Sequence, residues 1–189
     1  VTLVYVDSTK GWIVTDSGLQ SDAPGPLFLT ATGGTPCSGA IVCTNYKVHT
    51  FTGPGTFCVS CAGNAPGSNT VDYMIVAGGA GGGSSPGYGT TGAGGGGAGG
   101  YRESNGTASG CYTVSPLATT PTTVPAITVT AQPYSIVVGG GGTAGPSCGR
   151  GGNGNDSSFA CVTSTAGGGG GGAGAPNGPG NPGGSGGGT

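Results

Sequence analysis

Charge is what this sequence has least of: Lys, Arg, Asp and Glu together make 5% of its 189 residues, where about 25% is usual. Disordered chains combine low hydrophobicity with high charge, and the second half of that signature is missing. Lys10, Lys47, Arg102 and Arg150 stand singly, so there is no basic stripe for nucleic acid. The net charge of -2 gives no pull toward phosphate or anionic lipid. Long apolar runs are absent too, and nothing approaches the roughly 18–20 continuous residues of a membrane-spanning helix. Apolar spacing at helical period is missing throughout, while glycine and proline oppose helix. Histidine occurs once, at His49, without a titratable neighbour in sequence to pair with. Asp7, Asp16, Asp22, Asp72, Glu103 and Asp156 include no pair that suggests separated pKa values, which acid–base hydrolysis needs. We therefore expect no enzyme, no catalytic residue and no cofactor.

Glycine is what the sequence has most of, with 49 residues, and its runs lack the strict three-residue repeat of collagen. Three zones follow. Residues 1–30 carry the strand signals Val1–Val6 and Trp12–Thr15 around the turn Asp7–Gly11, then a Pro24-Gly25-Pro26 break; they read as a β stem. Residues 31–77 read as a small β domain. In it Lys47–Thr52 and Thr56–Cys61 flank Gly53-Pro54-Gly55, which predicts a hairpin. Alternation along Val71–Ala77 puts Val71, Tyr73 and Ile75 on one face, with Asp72, Met74 and Val76 on the other. Residues 78–189 form a glycine-rich zone with runs at 78–83, 92–100, 139–142, 167–174 and 183–188. One ordinary β stretch, Ala126–Val138, interrupts it. The chain opens in a strand-like run without an initial Met and stops in a glycine tract, so we expect an internal piece of a longer polypeptide.

Two readings of the glycine runs compete. Glycine/serine tracts behave as flexible coil, and ordering glycine costs more backbone entropy than ordering any other residue. Alternatively, glycine segments adopt an extended helix of three residues per turn, rising about 3.1 Å per residue, and pack without intervening Cβ atoms. Two features favour the packed form. Within the runs only Ala regularly replaces Gly, and the intervening inserts are long enough to reverse the chain. The fold class expected is all-β: a short stem and β domain followed by packed polyglycine helices of polyproline-II type.

Thr50-Phe-Thr-Gly-Pro-Gly-Thr-Phe57, Val71-Asp-Tyr-Met-Ile-Val-Ala-Gly-Gly79, the glycine tracts, Pro133-Tyr-Ser-Ile-Val-Val-Gly-Gly140 and Gly152-Asn-Gly-Asn-Asp-Ser-Ser-Phe159 follow one another in that order. In this the chain resembles, over roughly residues 45–189, the glycine-rich domain of bacteriophage tail-fibre, adhesin and virion structural proteins of marine-phage type. Val1–Trp12 is similar to the stem preceding that domain. The resemblance implies a non-catalytic tail-fibre segment, assembled in the host cytoplasm and carried outside the cell on the virion, that contributes to host-surface recognition. It implies a homotrimer as partner state, other fibre or baseplate proteins, and a host glycan or outer-membrane protein as receptor, with no nucleic acid. The inserts 84–91, 101–126 and 153–166 would then be exposed, with Tyr88, Tyr101, Tyr112 and Phe159 as receptor-contact candidates; each aromatic also reads as a cap on the glycine bundle. A purely structural filament or capsid-decorating protein, and a secreted glycine-rich fibril protein with sequons at Asn105 and Asn155, are the alternatives.

Other chemistry has weaker signals. Ile75-Val-Ala-Gly-Gly-Ala-Gly-Gly-Gly83 imitates a dinucleotide-binding turn, but Ser84-Ser-Pro-Gly87 does not supply the helix that motif needs. Gly151–Phe159 nearly fits a calcium-binding nonapeptide with Asp156 as ligand, yet such sites need tandem copies. Cys37, Cys43, Cys58 and Cys61 could bind a structural zinc, although their spacing is irregular. Disulfides and free thiols are the other readings for seven cysteines, an odd number that leaves one over. In a reducing cytosol, free thiols are expected. We expect no metal.

Overall fold

A computed structural model describes residues 2–8, 11–16, 27–42, 44, 46–64, 67–86, 92–104, 126–174 and 176–188. Among them there is no helix, and all the strand pairing is antiparallel except one isolated parallel bridge between Phe28 and Ser68. The two strands expected at the start are present: β1 (Thr2–Asp7) pairs with β2 (Gly11–Asp16), Tyr5 facing Trp12, while part of the turn expected between them lies outside the described residues.

The central sheet has five strands in the order β13-β12-β11-β6-β3. Here β3 is Thr30–Thr32, β6 Gly55–Cys61, β11 Pro133–Val137, β12 Ser157–Phe159 and β13 Val162–Ser164. Only β12–β13 is a local hairpin; β6 reaches across the sequence to β11, Tyr134 facing Phe57, and to β3, Ala31 facing Val59. Three two-stranded sheets accompany it: β4 (Thr35–Val42) with β5 (Tyr46–Thr50), β7 (Thr70–Val71) with β10 (Ile127–Thr128), and β8 (Met74–Val76) with β9 (Tyr101–Glu103).

The core is small and built by alternation. Ala31, Phe57, Val59, Tyr73, Ile75, Val129 and Phe159 are buried together, with Leu29, Phe51, Val71, Ile127, Tyr134, Ile136 and Val162 against them. The rings meet edge to face, Phe57–Phe159 at 5.9 Å and Tyr134–Phe159 at 6.0 Å between centroids, the arrangement aromatic quadrupoles favour. The predicted faces of 71–76 are those observed: Tyr73 and Ile75 are buried while Asp72, Met74 and Val76 are exposed.

Two expectations are corrected. Lys47–Thr52 and Thr56–Cys61 do not form a hairpin, because β5 pairs with β4 while β6 lies between β11 and β3. Residues 153–166 are not an exposed insert: β12 and β13 sit at one side of the central sheet, with Ser157, Phe159 and Ser164 buried. Ala160, at φ 51°, turns that hairpin.

Candidate functional site

After β8 the chain enters the glycine-rich zone, where pairing follows a different rule. Ala77, Ala80 and Gly83 donate their N–H groups to the carbonyls of Gly100, Gly97 and Gly94 at 2.9–3.0 Å. Gly78, Gly81 and Ser84 donate instead to Asn155, Gly152 and Gly149. The carbonyls of Gly79 and Gly82 accept from Gly142 and Gly145. The carbonyls of Gly78, Gly81 and Ser84 accept in turn from Gly167, Gly170 and Ala173. One segment, 77–84, thus addresses four others, each through every third residue, whereas a strand alternates between two directions.

The segment at 165–173 is the most enclosed. Residues 166–172, one Ala and six Gly, are all buried, so every backbone donor there needs a partner. The N–H groups of 167, 170 and 173 go to the carbonyls of 78, 81 and 84, those of 168 and 171 to 185 and 188, and that of 172 to 177. Two remain, and side chains take them: Ala166 donates to Asp156 Oδ1 at 2.8 Å and Gly169 to Asn153 Oδ1 at 2.9 Å. The carbonyls of 165 to 171 are equally occupied, accepting from 100, 184, 154, 97, 181, 151 and 94.

Close approach explains why these residues are glycine. A Cβ placed on Gly169 would stand 1.9 Å from the Gly151 carbonyl oxygen, and one on Gly170 2.1 Å from that of Gly94. One alanine that the sequence does contain within the runs falls where there is room. Ala98, which is exposed, continues the three-residue series of Gly92 and Gly95, where an added Cβ would meet nothing within 4 Å.

Arg150 and Asn153, given no role from the sequence, and Asp156, considered there only as a calcium ligand, hold the glycine segments together. They recur at the same three-residue interval and clamp the last part of the chain. Arg150 donates through Nη2 to the Pro176 carbonyl at 3.0 Å, and Asn153 Oδ1 also accepts from Asn181 Nδ2 at 2.9 Å. Polar side chains spaced by three among glycines were the signal available for finding them.

The four receptor-contact candidates are not brought together as a set. Tyr88 and Tyr112 lie outside the described residues. Tyr101 is exposed on β9, and its hydroxyl donates to Glu103 Oε2 at 2.6 Å; that bond first, then burial, raises its pKa above the usual tyrosine value. Phe159 is the correction: it is 8% exposed and belongs to the core, because its place in β12 turns the ring toward Phe57 and Tyr134. A side chain packed there is not a surface contact.

The remaining motifs find structural uses. The strand before Ala77 runs into the glycine segment, whose N–H groups at 77, 78, 80 and 81 are already spent on backbone carbonyls, so Ile75–Gly83 offers no phosphate cradle there. Asp156 holds the Ala166 N–H, a duty other than the calcium ligation considered for it. His49 Nδ1 donates to the Gly33 carbonyl at 2.8 Å, and its ring meets Phe57 edge-on at 5.2 Å. Cys37, Cys58, Cys61, Cys148 and Cys161 are free thiols, and among the described residues no group of three His, Cys, Asp or Glu side chains is placed to hold a metal. Cys43 and Cys111 lie outside the described residues.

No curated protein and no solved structure matches the chain. The family model of a glycine-rich domain matches residues 51–189, from the turn before β6 through the whole hydrogen-bonded glycine zone. That span is well over half of the sequence, and the chain belongs to this glycine-rich domain family.

Proposed function

We propose that this protein is a non-catalytic segment of an extracellular virion fibre, of bacteriophage tail-fibre type, in which a rigid glycine scaffold presents polar loops to a host surface. The observation that carries the scaffold half is the three-residue periodicity of backbone hydrogen bonding around residues 165–173. We read the glycine segments as extended helices of three residues per turn, each spending one residue in three on each of several neighbours. The virion half rests on the likeness of the motif order between Thr50 and Phe159 to phage fibre proteins. Association as a homotrimer would cover strand edges that the single chain leaves open, and binding would gain from several copies acting together. Tyr88, Tyr101 and Tyr112 remain the contact residues of this reading.

The test is a cryo-EM map of the assembly containing this chain, paired with adsorption of the purified chain to bacterial envelope extracts. Extended rods at the distal end of a three-fold fibre, together with adsorption, are the expected result. Repetition of the chain along a continuous filament without adsorption would replace this reading with the purely structural one. The dense backbone hydrogen bonding of residues 166–172 favours that second reading, because such a lattice needs no receptor.

A further inference from the structure

The failed hairpin between β5 and β6 leaves a groove. The chain leaves β5, which is paired with β4, and within four residues enters β6, which is paired with β3 and β11. The two sheets part at that point around a cavity of about 270 Å³. Phe51 lies half-buried in it, its ring so close to Gly55 that a Cβ there would stand 3.2 Å away. Thr35, Thr50, Thr52 and Thr56 line the groove as well. All four threonines are exposed, and none of their hydroxyls has a hydrogen-bond partner among the described residues. No charged residue lines the groove.

We propose that this groove binds one ring of a neutral saccharide, an inference that deepens the reading of the chain as a surface-binding segment and rests on it. Hydroxyls both donate and accept, so a groove lined by four threonines and one apolar ring matches a ligand that is itself a ring bearing hydroxyls. An anionic or cationic ligand would find no counter-charge here and would lose hydration without compensation. The volume falls just below the roughly 300–1,000 Å³ of drug-sized pockets, which limits the occupant to a single ring with the rest of its chain in solvent. A site this open binds weakly alone, and effective attachment comes from several copies engaging one glycan surface.

The experiment is amide NMR on the full chain, titrated separately with methyl galactoside, methyl glucoside, N-acetylglucosamine and glucuronate. At least one neutral sugar is expected to shift the amides of Gly34, Thr35 and residues 50–56. Thr52→Val and Thr56→Val should each weaken that binding roughly three- to ten-fold, the equivalent of one lost hydrogen bond, with the remaining spectrum unchanged. Silence from all neutral sugars, shifts located elsewhere, equal response to glucuronate, or undiminished binding by both variants would each overturn the proposal. Envelope adsorption separates the two claims. Adsorption without sugar shifts at the groove removes this site and leaves the fibre reading standing, whereas sugar shifts without adsorption do the reverse.

Discussion

Replacing Gly169 by alanine, with Gly95→Ala as its control, isolates the effect of space from that of conformation. Neither glycine has positive φ, so alanine is tolerated by the backbone at both. At Gly95 nothing lies within 4 Å of the added methyl; the substitution should stabilise by about 0.4–1 kcal/mol through the less flexible unfolded chain. At Gly169 the methyl would start 1.9 Å from the Gly151 oxygen, and real contacts are not shorter than 3.0 Å, so the two segments must part by about 1.1 Å. Three of the bonds across that seam flank the contact: Gly151 to Gly170, Gly154 to Gly167, and Gly169 to Asn153 Oδ1. At roughly 0.5–1.5 kcal/mol each, their loss costs about 1.5–4.5 kcal/mol, of which the unfolded-chain term returns less than one. Thermal unfolding followed by circular dichroism should therefore move in opposite directions, down by several degrees for Gly169→Ala and up slightly for Gly95→Ala. Hydrogen exchange at 166–173 should accelerate only in the first. Equal stability of the two variants would refute the packed lattice and return these residues to flexible linker.

Asn153→Ala should cost about 1–3 kcal/mol in denaturant unfolding, because it strands the buried Gly169 donor; Asn153→Asp, which keeps the acceptor oxygen, should cost less. Tyr73→Phe should raise stability by about 1–3 kcal/mol, since the Tyr73 hydroxyl is buried without a partner; a loss of stability would mean that an ordered water occupies that position. Ring-carbon NMR titration should find Tyr134 ionising below the usual tyrosine value, stabilised as phenolate first by bonds from Thr130. Tyr73, raised first by burial, and Tyr101, raised first by its bond to Glu103, should ionise above it. For both raised groups the sign is that of a protonated form favoured by folding. Their contribution is complete below the unfolded value near 10 and is lost as pH climbs through the raised native value. Glu103→Gln should bring Tyr101 back toward the ordinary value without moving Tyr73.

Where alternation alone decides a face, the sequence was a sufficient guide. Val71, Tyr73 and Ile75 had to share a side, as did Ile127 and Val129, whatever strand came to lie beside them. Pairing was another matter. Lys47–Thr52 and Thr56–Cys61 have hairpin composition, but the gain from placing Phe57 and Val59 at the centre of a sheet needs strands from 30–32 and 133–137. No local pattern records a partner 75 residues away. Phe159 misled for a related reason. The residues before it are Gly, Asn, Asp and Ser, a polar composition that reads as loop, and only the short period-two signal from Ser157 to Phe159 marks a strand.

The glycine zone inverts the usual relation between sequence and packing. In an ordinary core, side-chain volume tells which residues meet, and a wrong partner leaves a cavity or a clash. Residues 167–172 are six identical glycines, so nothing in their identity specifies which neighbour each addresses. Register must come from elsewhere, and Asn153 and Asp156 are placed to supply it. Each holds one N–H of the buried segment that no backbone carbonyl takes, three residues apart, at Gly169 and Ala166. A slip of the segment by one residue would leave both carboxamide and carboxylate facing donors already committed to the 78–84 and 185–188 carbonyls. The few side chains among the glycines therefore carry more of the fold's specificity than the glycines do. The same logic accounts for the scarcity of charge, because a lattice built on backbone groups has few places where an ion can be both buried and paired.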